Sequence, residues 1–598
     1  MPRLAALLLV VAVHLAVALT AWQQVGFLAD DTHMVGGAVL RHTGTWSFAS
    51  MFVRDVPVGG ATPAVALYRP FLDLVFWLEQ PWFGFDPLGY HVVNSAMHCA
   101  TALLWMLLVQ RLTRSLSAGL AAALLFVGFP GHSEALHWIA ARTNVQSTLL
   151  LSAALVTLDG ALTGRGRLVC AAGRATAAVF AVLAIGTKES AVFVLPLAAL
   201  LSWLRTRRLA SALLAWAPMA IAAAAWLAWR AHCLGTWGSG THYGWHLERV
   251  TVRSCLDWLG ALLAPRHRDY TPFAWLPVLL VAHLALLFGA LRAAWRAPTV
   301  RGLCGLAAVL LVCGYVACIG LEPLDPATLE NIRYGYEPTL ALCALGGIAI
   351  AALPGEWRGL VIAGFVVVHA TVLDHNRQSW LRASAVYQRL SADVVGVARA
   401  SQRPLRVIDA PGVYEGAFAW LNGFTEFRFL QAVAPAGTDL RGGVASTQEW
   451  DAVLRELAGA AQRGEALVDW FTVRWNDGSL VPLELDRRWP AAAWSGARVG
   501  YARIARTNPF AGDELPVHVL LETRGPVTLQ AVATDGEGTW RGAMVAAAGT
   551  PDPIAVALRA PIPDDVPEGR EVAVELHLAN GDGQQRVFGL GRVVVTAR

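Results

Sequence analysis

Long apolar runs alternate with short polar ones over roughly the first two thirds of the chain. Membrane-spanning helices need about 17–25 predominantly apolar residues. Runs approaching or reaching that length lie near 5–25, 91–110, 116–130, 143–160, 172–186, 190–204, 210–230, 272–291, 302–320, 338–353 and 358–373. The pattern predicts about 11 spans. Segment 252–264 is also apolar, but Arg253 and Asp257 interrupt it, which predicts an interfacial helix. The first run is read as an uncleaved anchor, because no clear cleavage box follows it.

After about residue 374 the pattern changes. The chain becomes polar and rich in Pro and Gly, with no run of membrane length. From about 485 onward, short alternating segments such as "VHVLLETRG", "VTLQAVATD" and "IAVALRAP" predict strands, and "NGDG" predicts a hairpin turn. The expected organisation is a transmembrane domain over 1–375, an extracytoplasmic α/β connecting region over 376–480 and a β-sandwich-like domain over 481–598. No repeat of 20–50 residues occurs.

Composition agrees with a membrane protein. Of the 598 residues, 56% are hydrophobic and 15% charged, against about 25% charged in soluble domains. A net charge of +4, spread along the chain, argues against nucleic acid as a partner. Most of the eight cysteines fall in apolar runs, where they read as small hydrophobes. Cys233 and Cys255 lie in a more polar segment and are candidates for one disulfide.

Arginines set the orientation. With the N-terminus inside, Arg111/Arg114, Arg165/Arg167, Arg205/Arg207/Arg208, Arg292/Arg296/Arg301 and Arg358 all fall in cytoplasmic loops. An odd number of spans then places the C-terminal part outside. On the same outer face lie "FLADDTHMVGG", "YRPFLDLVFW", "FPGHSEALHWIAARTN", "GTKES" and "LEPLDPATLENIRYGYEP". Ionisable groups beside apolar spans are costly and usually mark function.

Asp30 and Asp31 follow the first span. One of them suffices to cap the next helix; two adjacent carboxylates repel, which favours a general base with a partner. Arg69 reads either as an interfacial anchor or as a phosphate ligand, with Tyr68 beside it. His132, Glu134 and His137 do not match zinc spacing, and no metal or other cofactor is expected; Glu134 and Arg142 are candidates for an orienting ion pair. Arg333 has Glu330 and Tyr334 as neighbours, and pairs with Glu330 or contacts a ligand. Lys188, the only lysine, precedes Glu189. The two read as a tolerated intramembrane ion pair, or Lys188 as a compact ammonium for a phosphate oxygen.

"DDTHMVGGAVLRHTGTW" after a first span resembles the acidic loop of GT-C membrane glycosyltransferases. Together with "YRPFLDLVFWLEQPWFGFDPLGYHVVN", "FPGHSEALHWIAARTNVQSTLLL", "GTKESAVFVLPLAALL", "RYGYEP" and "NRQSWLRASAVYQRL", the chain resembles the tetratricopeptide-linked O-mannosyltransferase branch over about residues 1–390. The repeats are absent and a β-rich tail stands in their place. The resemblance implies an enzyme with a GT-C-like fold that inverts a sugar from a polyprenyl-phosphate carrier onto a protein, lipid or glycan acceptor. It implies Asp30 as base and Asp31 as an orienting or acceptor-binding acid. Arg69, Arg142, Lys188 and Arg333 are the candidates for the donor phosphate. Tyr68, His132, Glu134, His137, Glu189, Glu330 and Tyr334 are the candidates for orienting or acceptor contacts. The Ala/Arg-rich composition points to a bacterial inner membrane with a periplasmic site. Rival readings are a transporter or flippase of lipid-linked sugar and a non-catalytic envelope assembly protein.

Overall fold

A computed structural model of the chain describes residues 2–53, 68–235, 251–265, 275–318 and 331–401, a few positions excepted. Beyond 401 it describes strand segments as far as 504 and nearly all of 512–595. The helices run in order as α1 Pro2–Trp22, α2 Asp31–His42, α3 Ser50–Val53, α4 Pro70–Phe83, α5 Pro87–Thr113 and α6 Leu116–Val127. Next come α7 Ser133–His137, α8 Arg142–Thr163, α9 Arg167–Thr187, α10 Val194–Thr206 and α11 Leu209–Leu234. They are followed by α12 Val252–Leu263, α13 Trp275–Arg296, α14 Pro298–Cys318, α15 Tyr336–Ala351 and α16 Gly355–Ser401.

Each of the eleven apolar runs contains a helix. Among the described residues, 8 helices are long and apolar enough to cross a membrane. The count rises to 9 if α6 and Pro130–His137, bent by 49°, form one broken span. The apolar part of α1 is shorter, Pro2–Ala18. The chain is a multi-pass membrane protein. The interfacial segment is helix α12, started by a capping box between Thr251 and Ser254. It buries Trp258, Ala261, Leu262 and Leu263 and exposes Val252 and Leu256.

The chain divides into two compact units, Met1–Gln388 with Val413–Ala419, and Arg389–Gly412 with Trp420–Arg598. The last apolar run differs from its sequence reading: α16 does not stop near 375 but continues to Ser401. Trp380, Ala383, Tyr387, Leu390 and Val394 are buried at three- and four-residue spacing, an amphipathic helical stripe. That stripe carries the helix through a sequence too polar to register as a span.

Lipid tails are as apolar as leucine, so helices in a membrane associate through close packing, which small residues allow. A Cβ on Gly119 would strike the Met106 carbonyl of α5, and one on Gly347 would strike the Ala118 carbonyl of α6. Both glycines let backbones meet where α5, α6 and α15 pack.

In the second unit, β1 Leu405–Ile408, β4 Val444–Ala445, β5 Phe471–Asn476 and β6 Ser479–Pro482 form a sheet in the order β4-β1-β5-β6. The pairs β4-β1 and β1-β5 are parallel, and β5-β6 is antiparallel. In the first unit β2 Val413–Tyr414 pairs with β3 Ala417–Phe418. The remaining strands are β7 Ala497–Ile504, β8 Glu514–Thr523, β9 Val527–Thr534, β10 Thr539–Arg541, β11 Val545–Ala547, β12 Thr550–Pro561, β13 Glu571–Asn580 and β14 Gln585–Val594. They form two sheets, β12-β8-β7 and β10-β9-β13-β14, with β11 on β9. Alternate residues of both sheets, among them Val517, Val519, Leu529, Ala531, Val574 and Leu576, share one core, as in a sandwich. The "NGDG" turn joins β13 to β14, with Gly583 at φ +76 in the region that favours glycine.

The close approaches give a prediction about stability. Gly347→Leu is expected to prevent α15 from docking on α6 and to lower the yield of folded protein and its unfolding temperature in detergent. Gly364→Leu, where nothing lies within 4 Å, is expected to behave as the native chain. Equal unfolding temperatures for the two variants would contradict this packing.

Candidate active site

The acidic pair sits in a segment held from three sides. Gly26 N–H donates to Ser384 Oγ of α16 at 2.6 Å, and His91 of α5 lies 3.0 Å from the Val25 carbonyl. Trp138 donates its indole N–H to the Leu28 carbonyl at 3.3 Å. Asp31 is fully buried. One of its oxygens accepts from Leu28 N–H at 3.0 Å and the other from Ala140 N–H at 2.5 Å. Burial pushes its carboxyl well above the usual carboxylate range, against the pull of these backbone donors. The neighbouring Asp30 is partly exposed. It occupies the N-cap position of α2 in helical geometry and makes no side-chain cap hydrogen bond. The pair therefore divides: Asp31 is buried and ties two loops together, and Asp30 stays partly exposed.

Ala140 and Trp138 carry the arrangement onward. The Arg333 guanidinium lies over the Trp138 ring at 4.9 Å and over the Tyr334 ring at 4.7 Å, favourable cation–π geometry. Its Nη1 and its backbone N–H both donate to the buried Glu134 carboxylate, the latter at 2.8 Å. The Lys188 ammonium sits 5.1 Å from the centroid of the same Tyr334 ring and donates to Asn144 Oδ1. Glu189, next to it, receives Arg69 Nη2 at 3.0 Å and lies 3.7 Å from Arg230 Nη2. Arg333, Tyr334 and Lys188 are thus in contact, Glu189 follows Lys188 in sequence and holds Arg69, and Asp30 adjoins the Asp31 that bonds Ala140, a chain of contacts that makes up a candidate lane. Tyr68 borders it, donating to the Phe52 carbonyl at 2.5 Å and accepting from Trp229 at 3.0 Å.

Several sequence expectations need correction. Arg142 does not join the lane, nor does it pair with Glu134. It is fully buried, donates to Glu79 and to the Tyr90 carbonyl, and stacks on Phe76 at 4.7 Å. A guanidinium enclosed in this way is a strut between α4, α5 and α8. Lys188 and Glu189 do not pair with each other, since Asn144 takes the ammonium and two arginines take the carboxylate. His132 is buried on Thr339 Oγ1 at 2.7 Å and His137 on the Ser133 carbonyl at 2.7 Å. Cys233 and Cys255 are both free. Glu330 lies outside the described residues.

Arg230, Asn144 and Trp138 escaped the sequence reading. Arg230 falls at the end of an apolar run, where an arginine reads as an anchor, and the other two carry no charge to mark them. Among the described residues no three His, Cys, Asp or Glu side chains are grouped to hold a metal ion.

No family model matches the chain. The protein O-mannosyl-transferase Tmtc1 of Drosophila melanogaster is 33% identical over 129 residues, 20% of this chain and 14% of that protein. The protein O-mannosyl-transferase tmtc2 of Xenopus laevis is 38% identical over 89 residues, 15% of this chain and 11% of that protein. The matched stretch is O-mannosyl-transferase-like. It spans only a small part of those relatives' length. Among solved structures, ArnT from Cupriavidus metallidurans bound to undecaprenyl phosphate aligns with a TM-score of 0.45 and 13% identity, covering 75% of this chain and 90% of that one. The oligosaccharyltransferase AglB from Archaeoglobus fulgidus, in complex with an inhibitory peptide and a dolichol-phosphate, aligns at 0.41 and 10%, covering 100% and 98%.

The Arg142 strut is testable. Glu79→Ala leaves a buried guanidinium without its carboxylate, which is expected to cost about 3–5 kcal/mol of stability. The readout is thermal or denaturant unfolding in detergent; an unchanged midpoint would contradict the strut.

Proposed function

We propose that the chain is a membrane glycosyltransferase that moves a sugar from a polyprenyl-phosphate donor to an acceptor hydroxyl, with inversion. The observation that carries this reading is the lane itself. One partly exposed carboxylate, Asp30, stands beside a buried carboxylate that holds its loop, and Arg333, the buried Lys188 and Arg69 are linked to it through Trp138, Tyr334 and Glu189.

The chemistry follows from those groups. Asp30 takes the acceptor's hydroxyl proton as the oxygen attacks the anomeric carbon from the face opposite the phosphate. The bond to the lipid phosphate breaks, and the phosphate leaves with the electron pair. Its developing negative charge is stabilised by fixed cations, for which Lys188, Arg69 and Arg333 are the candidates. Glu189 and Glu134 hold two of these cations in place. Arg230, held by the same carboxylate as Arg69, joins the group. Asp31 is an orienting residue, with an oxygen committed to each of two backbone donors. The site lies on the periplasmic side of a bacterial inner membrane in this reading, with the β-rich unit on that side as well. The polyprenyl-phosphate sugar and the bilayer are its partners, and the acceptor is a protein, lipid or glycan.

The test uses the full chain in liposomes with a labelled polyprenyl-phosphate sugar and measures release of lipid phosphate and transfer of label. Lys188→Ala is expected to raise the KM for the donor about tenfold or more, the loss of one charge-assisted contact. Lys188→Arg is expected to restore it in part, because a planar fork replaces a compact ammonium. Native donor use by Lys188→Ala would remove Lys188 from the site, and no transfer from any polyprenyl-phosphate sugar by the native chain would overturn the proposed activity.

A further inference from the structure

A cavity of about 570 Å³ lies apart from the lane, between α1, α5 and α16. Its walls are apolar, with Ala16 and Val17 on α1 and Val366, Ala370 and Leu373 on α16. Small side chains on both helices leave the slot open. It follows α16 from Val366 to Arg377, about 16 Å of helix axis at 1.5 Å per residue. That is close to half of the roughly 30 Å hydrocarbon core of a bilayer, the depth of one leaflet.

Polar groups in the slot fall into two sets. His14 and Ser95 bond each other at 2.8 Å, and His98 meets the Tyr336 hydroxyl at 2.5 Å and the Val127 carbonyl at 3.2 Å. These satisfy one another in the wall. At the Arg377 end the chemistry is one-sided. Arg377 places both Nε and Nη2 on a single oxygen of Asp374, Oδ1, at 2.9 and 2.7 Å. The second oxygen, Oδ2, remains an open acceptor on a side chain 54% exposed. His137 Nδ1 lies 2.7 Å from the Ser133 carbonyl. That carbonyl only accepts, so Nδ1 carries the hydrogen and Nε2 of the neutral ring is a second acceptor. Among the described residues Nε2 has no partner.

We propose that this slot is a lipid site, separate from the donor lane, that takes one acyl chain of an aminophospholipid. The chain fills the apolar slot, and the primary ammonium of the head group donates to Asp374 Oδ2 and His137 Nε2. A choline head has no N–H to donate and a glycerol head has no positive charge, so neither matches two acceptors beside an arginine. The occupied slot joins α1 to α16 next to residues 138–140, which hold the acidic loop. The inference does not depend on the proposed glycosyl transfer.

The test reconstitutes the full chain in phosphatidylcholine vesicles containing a trace of phosphatidylethanolamine with a photoactivatable acyl chain, and maps the labelled peptides. Label is expected on residues 13–18 of α1 and 366–373 of α16. Unlabelled phosphatidylethanolamine is expected to compete about tenfold better than phosphatidylglycerol or phosphatidylcholine, the value of one charge-assisted hydrogen bond. Ala370→Phe, which fills the slot, is expected to abolish label on both helices. The surface substitution Asp374→Asn is expected to keep the label and erase the head-group preference. Label elsewhere only, or equal competition by the three phospholipids in the native chain, would overturn the proposal. So would polyprenyl phosphate as the best competitor, which would give the slot to the donor's chain.

Discussion

The arrangement of the candidate site depends on one buried carboxylate. Asp31 accepts a backbone N–H from its own loop and another from Ala140, 109 residues away. An ionisable group is costly in such a place unless its lone pairs are occupied, and here each oxygen has a donor. The result is a fixed crossing of two loops. Trp138, two residues before Ala140, closes it by bonding the Leu28 carbonyl. Asp30, next to this locked residue, keeps part of its surface exposed.

The same principle orders the cations. Each of Arg142, Arg333 and Arg69 is held by a carboxylate from a distant segment: Glu79, Glu134 and Glu189 respectively. Burial separates their roles. Arg142 is enclosed on all sides and braces three helices, and removing its partner exposes the full desolvation cost. Arg69 and Arg333 keep part of their surface, and Arg333 lies over Trp138, which bonds the acidic loop.

Hydropathy made the helical framework legible, because a span is a local property of some twenty residues. All eleven apolar runs hold helices, and the capping residues of the interfacial helix lie beside it in sequence. The alternating segments near the C-terminus are strands for the same reason, since period-two patterning is local. The continuation of α16 was hidden because its buried stripe of Trp380, Ala383 and Tyr387 is amphipathic rather than apolar. Pairing was not legible at all. Glu134 stands eight residues before Arg142 yet bonds Arg333, 199 positions on. Lys188 adjoins Glu189 in sequence and turns instead to Asn144. Residue type suggested which groups matter, whereas only the packing of the helices decides which of them meet.

The proposed role of Asp30 as base is checked by single-turnover transfer from a labelled polyprenyl-phosphate sugar, comparing the native chain with Asp30→Asn. The variant is expected to keep the native unfolding temperature and to lose transfer by about 10²-fold or more, the usual contribution of a positioned base. A folded Asp30→Asn chain that transfers sugar at the native rate would contradict it.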